Sequence, residues 1–135
     1  MQPHNLVALV TLLSLLFFLW TLMRDGRARG TFGVAAPATT GHPEFERHFR
    51  VQMNTLEGLA LFLPSLWLFA FYWSDMIAAG LGGVWILGRI VYTLAYVKEP
   101  KSRSAGFGIQ ALAMLVLLIG ALIGVVRALM ITGGV

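Results

Sequence analysis

No cysteine occurs in the 135 residues, which excludes disulfides, thiolate metal ligands and a protein thiol nucleophile by counting alone. Any sulfur chemistry therefore belongs to a ligand. Charge is scarce as well: Asp, Glu, Lys and Arg together make up 12% of the chain, about half the content of a soluble globular domain. Acidic residues are rarer than basic ones, six against ten, leaving a net charge of +4. So few basic groups, scattered between apolar runs, do not make the clustered face that nucleic acid binding needs, and no nucleic acid partner is expected. Internal repeats and low-complexity tracts are missing too. What the chain has in excess is apolar surface, with 58% hydrophobic residues and a mean hydropathy of +0.78. This is the composition of an integral membrane protein.

Four apolar spans stand out. The first, Leu6 to Met23, is free of charge, and at about 1.5 Å per residue it covers most of a hydrocarbon core roughly 30 Å thick. Its start, "MQPHN", lacks a basic leader region and no A-x-A-like site precedes "RDGRARG", so a spanning helix is expected rather than a cleaved signal. The second span runs from about Val51 to Trp73, with Pro64 expected to bend it. The third runs from Met76 to Val97 and carries Arg89 inside it, and the fourth from Ser104 to Val126. The expected fold is an all-α integral membrane bundle of four transmembrane helices in one domain, residues 1–135.

The links differ in size. Arg24 to Pro43 is a long polar connection with the turn-rich "PATTGHP", "YWSDM" is a tight turn, and "KEPKSRS" is short and basic. Arg24, Arg27, Arg29, Arg47 and Arg50 gather around the first link and Lys98, Lys101 and Arg103 around the third, whereas the opposite side offers Arg127. The positive-inside rule then places links 24–43 and 98–103 in the cytoplasm and both termini on the far side. No targeting signal separates a bacterial inner membrane from the endoplasmic reticulum.

Polar residues inside the spans carry the functional signal. Arg50, Asn54 and Glu57 sit at i, i+4 and i+7 and project from one helix face, whereas Gln52 points about 200° away from Arg50. Glu46 is placed to pair back to Arg50 at i+4. Glu57 is the expensive member, because an ionisable group at that depth costs a few kcal/mol unless it faces protein or water and finds a partner. On the third span Arg89, Tyr92 and Tyr96 fall at i, i+3 and i+7, and Arg103 follows seven residues later where the chain leaves the membrane. A salt bridge between Glu57 and Arg89 that only ties the bundle together competes with ligand contact, and an interfacial aromatic belt competes for the tyrosines. The combination of carboxylate, amide, guanidinium and phenol suits a small ligand with several charges of both signs.

The stretches "PEFERHFRVQMNTLE", "PATTGHPEFER" and "GRIVYTLAYVKEPKSR", together with the four-span layout, resemble the MAPEG superfamily of membrane-associated proteins in eicosanoid and glutathione metabolism. The resemblance covers most of the chain and is nearest to the microsomal glutathione transferases and leukotriene synthases. It implies a homotrimer with glutathione as co-substrate and no metal. It further implies that Arg50, Asn54, Glu57, Tyr92 and Tyr96 hold glutathione, that Arg103 activates its thiol, and that Arg29 and Gln52 reach the site of an adjacent subunit. The sequence departs from the family at Gly58, where several enzymes have a tyrosine, and at Gly30 and Gly33, where the eicosanoid enzymes have basic residues.

The implied activity is glutathione transfer to lipophilic electrophiles arriving through the bilayer, or reduction of a lipid hydroperoxide. A free thiol has a pKa near 8.5, and a fixed guanidinium in a poorly hydrated site lowers it by about one to three units. Arginine stays charged throughout, so Arg103 is read as a stabiliser of the thiolate and not as a base. The same fold also includes a non-catalytic protein that binds and presents lipids, the alternative class. A channel or transporter has less support, since no acidic relay or helix-breaking repeat is present.

Overall fold

A computed structural model describes residues 4–133, with nothing stated for the side chains of residues 100 and 102. Four long helices follow one another: α1 (Asn5–Phe32), α2 (Pro43–Tyr72), α3 (Asp75–Lys98) and α4 (Ser104–Thr132), with a short 3-10 turn (Pro100–Arg103) leading into α4. Each of the four is long and apolar enough to cross a membrane. The architecture is all-helical, as the composition implied.

Local chemistry accounts for the helix ends. α2 opens with Pro43 in its first turn, the His42 ring accepting a hydrogen bond from the Glu44 amide at 3.2 Å, and Glu44 and Glu46 close to the positive end of the helix dipole. α3 starts after Ser74, whose hydroxyl accepts from the Ile77 amide at 3.2 Å. Only Trp73 and Ser74 separate α2 from α3, which forces the two to run antiparallel as neighbours. α1 ends at Gly33, which takes the left-handed conformation with φ 68°, while the following Val34 amide donates to the Arg29 carbonyl at 3.0 Å.

The first link is shorter than the sequence suggests. α1 continues past Met23 through "RDGRARGTF" to Phe32, so the connection is residues 33–42. The extension is held by packing that composition conceals. Ala28, Val34 and Phe45 are buried together, and the Arg29 guanidinium lies 4.6 Å above the Phe45 ring and pairs with Asp25 one turn earlier at 3.6 Å. Helix α2 likewise runs unbroken through Pro64.

The main core sits between the helices in their apolar halves, where Val7, Leu59, Phe62, Leu66, Trp85 and Leu117 are buried together. Phe62 of α2 and Trp85 of α3 stack with ring centres 4.0 Å apart and planes 7° from parallel. Indole N–H groups in this apolar setting find acceptors, Trp67 donating to the Thr11 hydroxyl at 2.9 Å and Trp73 to the Gly120 carbonyl at 2.7 Å. α3 and α4 approach closest at glycines. A side chain on Gly106 would meet the backbone nitrogen of Tyr92, and one on Gly88 would come within 2.6 Å of the Gln110 nitrogen. Small residues at such crossings let helix backbones touch where there is little hydrophobic drive between helices. Arg47 closes the same end of the bundle by donating to the carbonyls of Val97 and Lys98 at 3.2 and 3.4 Å. The start of α2 is thereby tied to the end of α3, and the stripe on α2 is set beside the turn that carries Arg103.

Candidate functional site

Four elements meet at that basic end around a cavity of about 480 Å³. α2 contributes Arg50, Met53, Asn54 and Glu57, the i, i+4, i+7 stripe with one methionine between its members. α3 contributes Tyr92. The 3-10 turn and the first turn of α4 contribute Arg103, Ser104 and Phe107. Two guanidinium groups, one carboxylate, one amide and one phenol therefore face a single volume. Among the described residues no hydrogen bond or ion pair engages Glu57, so its carboxylate is left to a ligand or a neighbouring chain.

Tyr96 lies just behind this wall. It is buried with Val51 and Tyr92, and its ring stacks on that of Tyr92 with centres 5.6 Å apart and planes 9° from parallel. The Arg103 guanidinium stands 5.9 Å from the Tyr96 ring centre, so the tyrosine pair and the arginine form one continuous surface. A second, more apolar groove of about 380 Å³ shares Asn54 and Glu57 with the first and continues along Gly58, Trp85, Met114 and Leu115. A side chain at Gly58 would begin 3.3 Å from the edge of Trp85, so the missing tyrosine leaves this groove open.

Arg29 and Gln52 are not part of the cavity wall within one chain. Arg29 occupies the last turn of α1, pairing with Asp25 and donating to the Ala38 carbonyl at 2.7 Å, and Gln52 projects from the other side of α2. Two other relationships differ from the sequence-based expectation. Arg89 does not reach Glu57: its guanidinium donates to Asn54 Oδ1 and to Thr55 Oγ1, each at 2.6 Å, and packs 4.6 Å from the Tyr92 ring. The Glu46 carboxylate accepts from the Gly41 amide at 3.1 Å and serves the link rather than Arg50. Sequence reasoning missed Met53, Ser104 and Phe107. Met53 sits between Arg50 and Asn54 on the stripe and was within reach of the periodicity argument. Ser104 and Phe107 enter the wall only because the 3-10 turn swings α4 against α2. No group of three or more His, Asp or Glu side chains that could hold a metal ion is present among the described residues.

The MAPEG family pattern matches residues 6–123, which reaches from α1 into α4 and takes in every residue of this cavity. The chain belongs to the MAPEG family. Among MAPEG relatives, an "uncharacterized protein" of Synechocystis sp. is 49% identical over 118 residues, covering 87% of this chain and 86% of that protein. Microsomal glutathione S-transferase 2 of Homo sapiens is 38% identical over 118 residues, covering 87% and 80%. Leukotriene C4 synthase of Cavia porcellus is 38% identical over 119 residues, covering 88% and 79%. Membership supports, at the level of the family, a multi-pass membrane protein with glutathione-related transferase activity.

Proposed function

We propose that this protein is a membrane-bound glutathione transferase that joins the thiolate of glutathione to lipophilic electrophiles, working as a homotrimer. The observation that carries the reading is the convergence of Arg50, Asn54, Glu57, Tyr92 and Arg103 on one cavity. Glutathione at neutral pH carries one ammonium and two carboxylates. Glu57, with no partner of its own, suits the ammonium, and Arg50 suits a carboxylate through charge-assisted hydrogen bonds. Tyr92 and Tyr96 form the stacked floor on which the cysteinyl portion rests, within range of Arg103. Arg29 and Gln52 do not line the cavity of their own chain, and in the proposed trimer they complete the site of the adjacent subunit.

Arg103 supplies the field for the chemistry. Its permanent positive charge favours the thiolate over the thiol, so the proton leaves to solvent without a dedicated base. The thiolate lone pair attacks an electrophilic carbon. A carbon–sulfur bond forms as the bond from that carbon to its leaving group, or to an epoxide oxygen, breaks, and the leaving group or oxygen keeps the electron pair. The apolar electrophile reaches the thiolate from the bilayer along the groove by Gly58, Trp85 and Leu115, while glutathione enters from the basic side, which we assign to the cytoplasm. A relative named a glutathione S-transferase supports the sulfur-transfer chemistry, and the open groove at Gly58 supports a co-substrate different in shape from those of enzymes with a tyrosine there.

The purified protein in mild detergent is expected to bind glutathione and to conjugate it to a generic aromatic electrophile. Lipid binding without any affinity for glutathione would instead favour a presenting role for the same fold.

A further inference from the structure

Arg89 is 1% exposed, and among the described residues no carboxylate pairs with it. A buried guanidinium on a membrane helix is costly, and such groups mark function by default. Its surroundings are asymmetric. One Nη donates to Asn54 Oδ1 and the other to Thr55 Oγ1, both at 2.6 Å, while Nε has no partner and the Tyr92 ring covers one face at 4.6 Å. The Thr55 hydroxyl donates in turn to the Val51 carbonyl at 2.7 Å, so it is committed on both sides and holds the guanidinium in place.

A guanidinium has donors and no acceptor. The Asn54 atom that faces Arg89 must therefore be the carbonyl oxygen, which decides the orientation of an amide that is otherwise ambiguous by a half-turn. With the oxygen occupied, the group Asn54 turns toward the cavity is its NH2. We infer that Arg89 is a positioning residue that makes Asn54 a donor-only contact, selecting a carboxylate or carbonyl oxygen of the bound peptide and rejecting a donor at that point. The inference rests on the glutathione reading of the cavity. It assigns to a buried residue outside the cavity wall a part in choosing the ligand's polarity.

The test measures glutathione affinity by calorimetry on the detergent-solubilised assembly. Asn54→Asp keeps the size of the side chain and the bond to Arg89 but offers the cavity an oxygen in place of NH2, so affinity is expected to fall about tenfold or more with melting temperature preserved. Arg89→Lys cannot span Asn54 and Thr55 together, and is expected to weaken binding about tenfold in the wild-type background and not at all further in an Asn54→Ala background. A merely structural arginine would cost the same factor in both backgrounds. That result, or Asn54→Asp binding glutathione like wild type, overturns the role of Arg89 while leaving the proposed function standing. Failure of the wild-type protein itself to bind glutathione overturns the proposed function, and this inference with it. Should Arg89→Lys not fold, Asn54→Asp decides the matter alone.

Discussion

Glu57 lines the cavity with no hydrogen bond or ion pair among the described residues, and we propose that it receives the ammonium of glutathione. Glu57→Gln is expected to weaken glutathione binding by about 1–2 kcal/mol, the cost of a lost charge-assisted hydrogen bond, with the ligand-free melting temperature unchanged. A fall in melting temperature with unchanged affinity would make Glu57 a bundle residue instead. Arg103 answers to a different observable. Arg103→Ala leaves Arg50, Asn54 and Glu57 to hold the peptide, so binding persists, while the field on the sulfur is lost. The thiol pKa should then rise, and because only the thiolate reacts, the rate should fall at neutral pH and recover as pH approaches the free-thiol value. A rise of about two units corresponds to nearly 3 kcal/mol and up to a hundredfold loss of thiolate. Arg103→Lys keeps a point charge and should restore part of the rate. At this scale the stripe Arg50, Asn54, Glu57 was legible because helical periodicity fixes which residues share a face. The bond from Arg89 to Asn54 and Thr55 was not, because periodicity says nothing about the tilt and register of α3 against α2, and those choose among partners less than a turn apart.

The helices show why that register was hidden. It is set by contacts remote in sequence: the Phe62–Trp85 stack, the Arg47 bonds to the end of α3, and the glycine crossing of α3 and α4. Gly106→Ala would place a methyl group against the Tyr92 backbone, where no flexible side chain can yield. The expected result is a loss of stability of about 1–3 kcal/mol from overpacking, measured by thermal unfolding in detergent. Weaker glutathione binding should accompany it, because Tyr92 would move with α3. Gly108→Ala, where nothing lies within 4 Å, is the control and should be neutral or slightly stabilising. That the chain carries long apolar helices was plain from composition, because charge-free runs of such length have few other uses. The continuation of α1 to Phe32 was obscured by Gly26 and Gly30, which read as turn residues until Ala28 is seen against Phe45 and Val34. Trp73 and Ser74 were readable as a tight turn from their polar flank alone.

The whole molecule leaves large apolar surface uncovered. Leu9, Leu12, Leu16, Leu112, Leu122 and Ile131 are all exposed in the single chain, and outward faces of this kind belong to lipid or to neighbouring subunits. We propose three chains around an axis, with Arg29 and Gln52 reaching across. The mass of the intact complex in mild detergent should be three times that of the chain, and monomers or dimers alone would count against it. We propose that this assembly binds glutathione and holds its sulfur as an anion beside Arg103. The most direct measurement is the ultraviolet absorbance of thiolate as glutathione is titrated into the protein at neutral pH. A thiolate signal should appear on binding, saturate with the sites, and be absent when Arg103→Ala is titrated at the same pH although the ligand still binds. No thiolate signal from wild-type protein with glutathione bound, or identical signals from the two proteins, would contradict it.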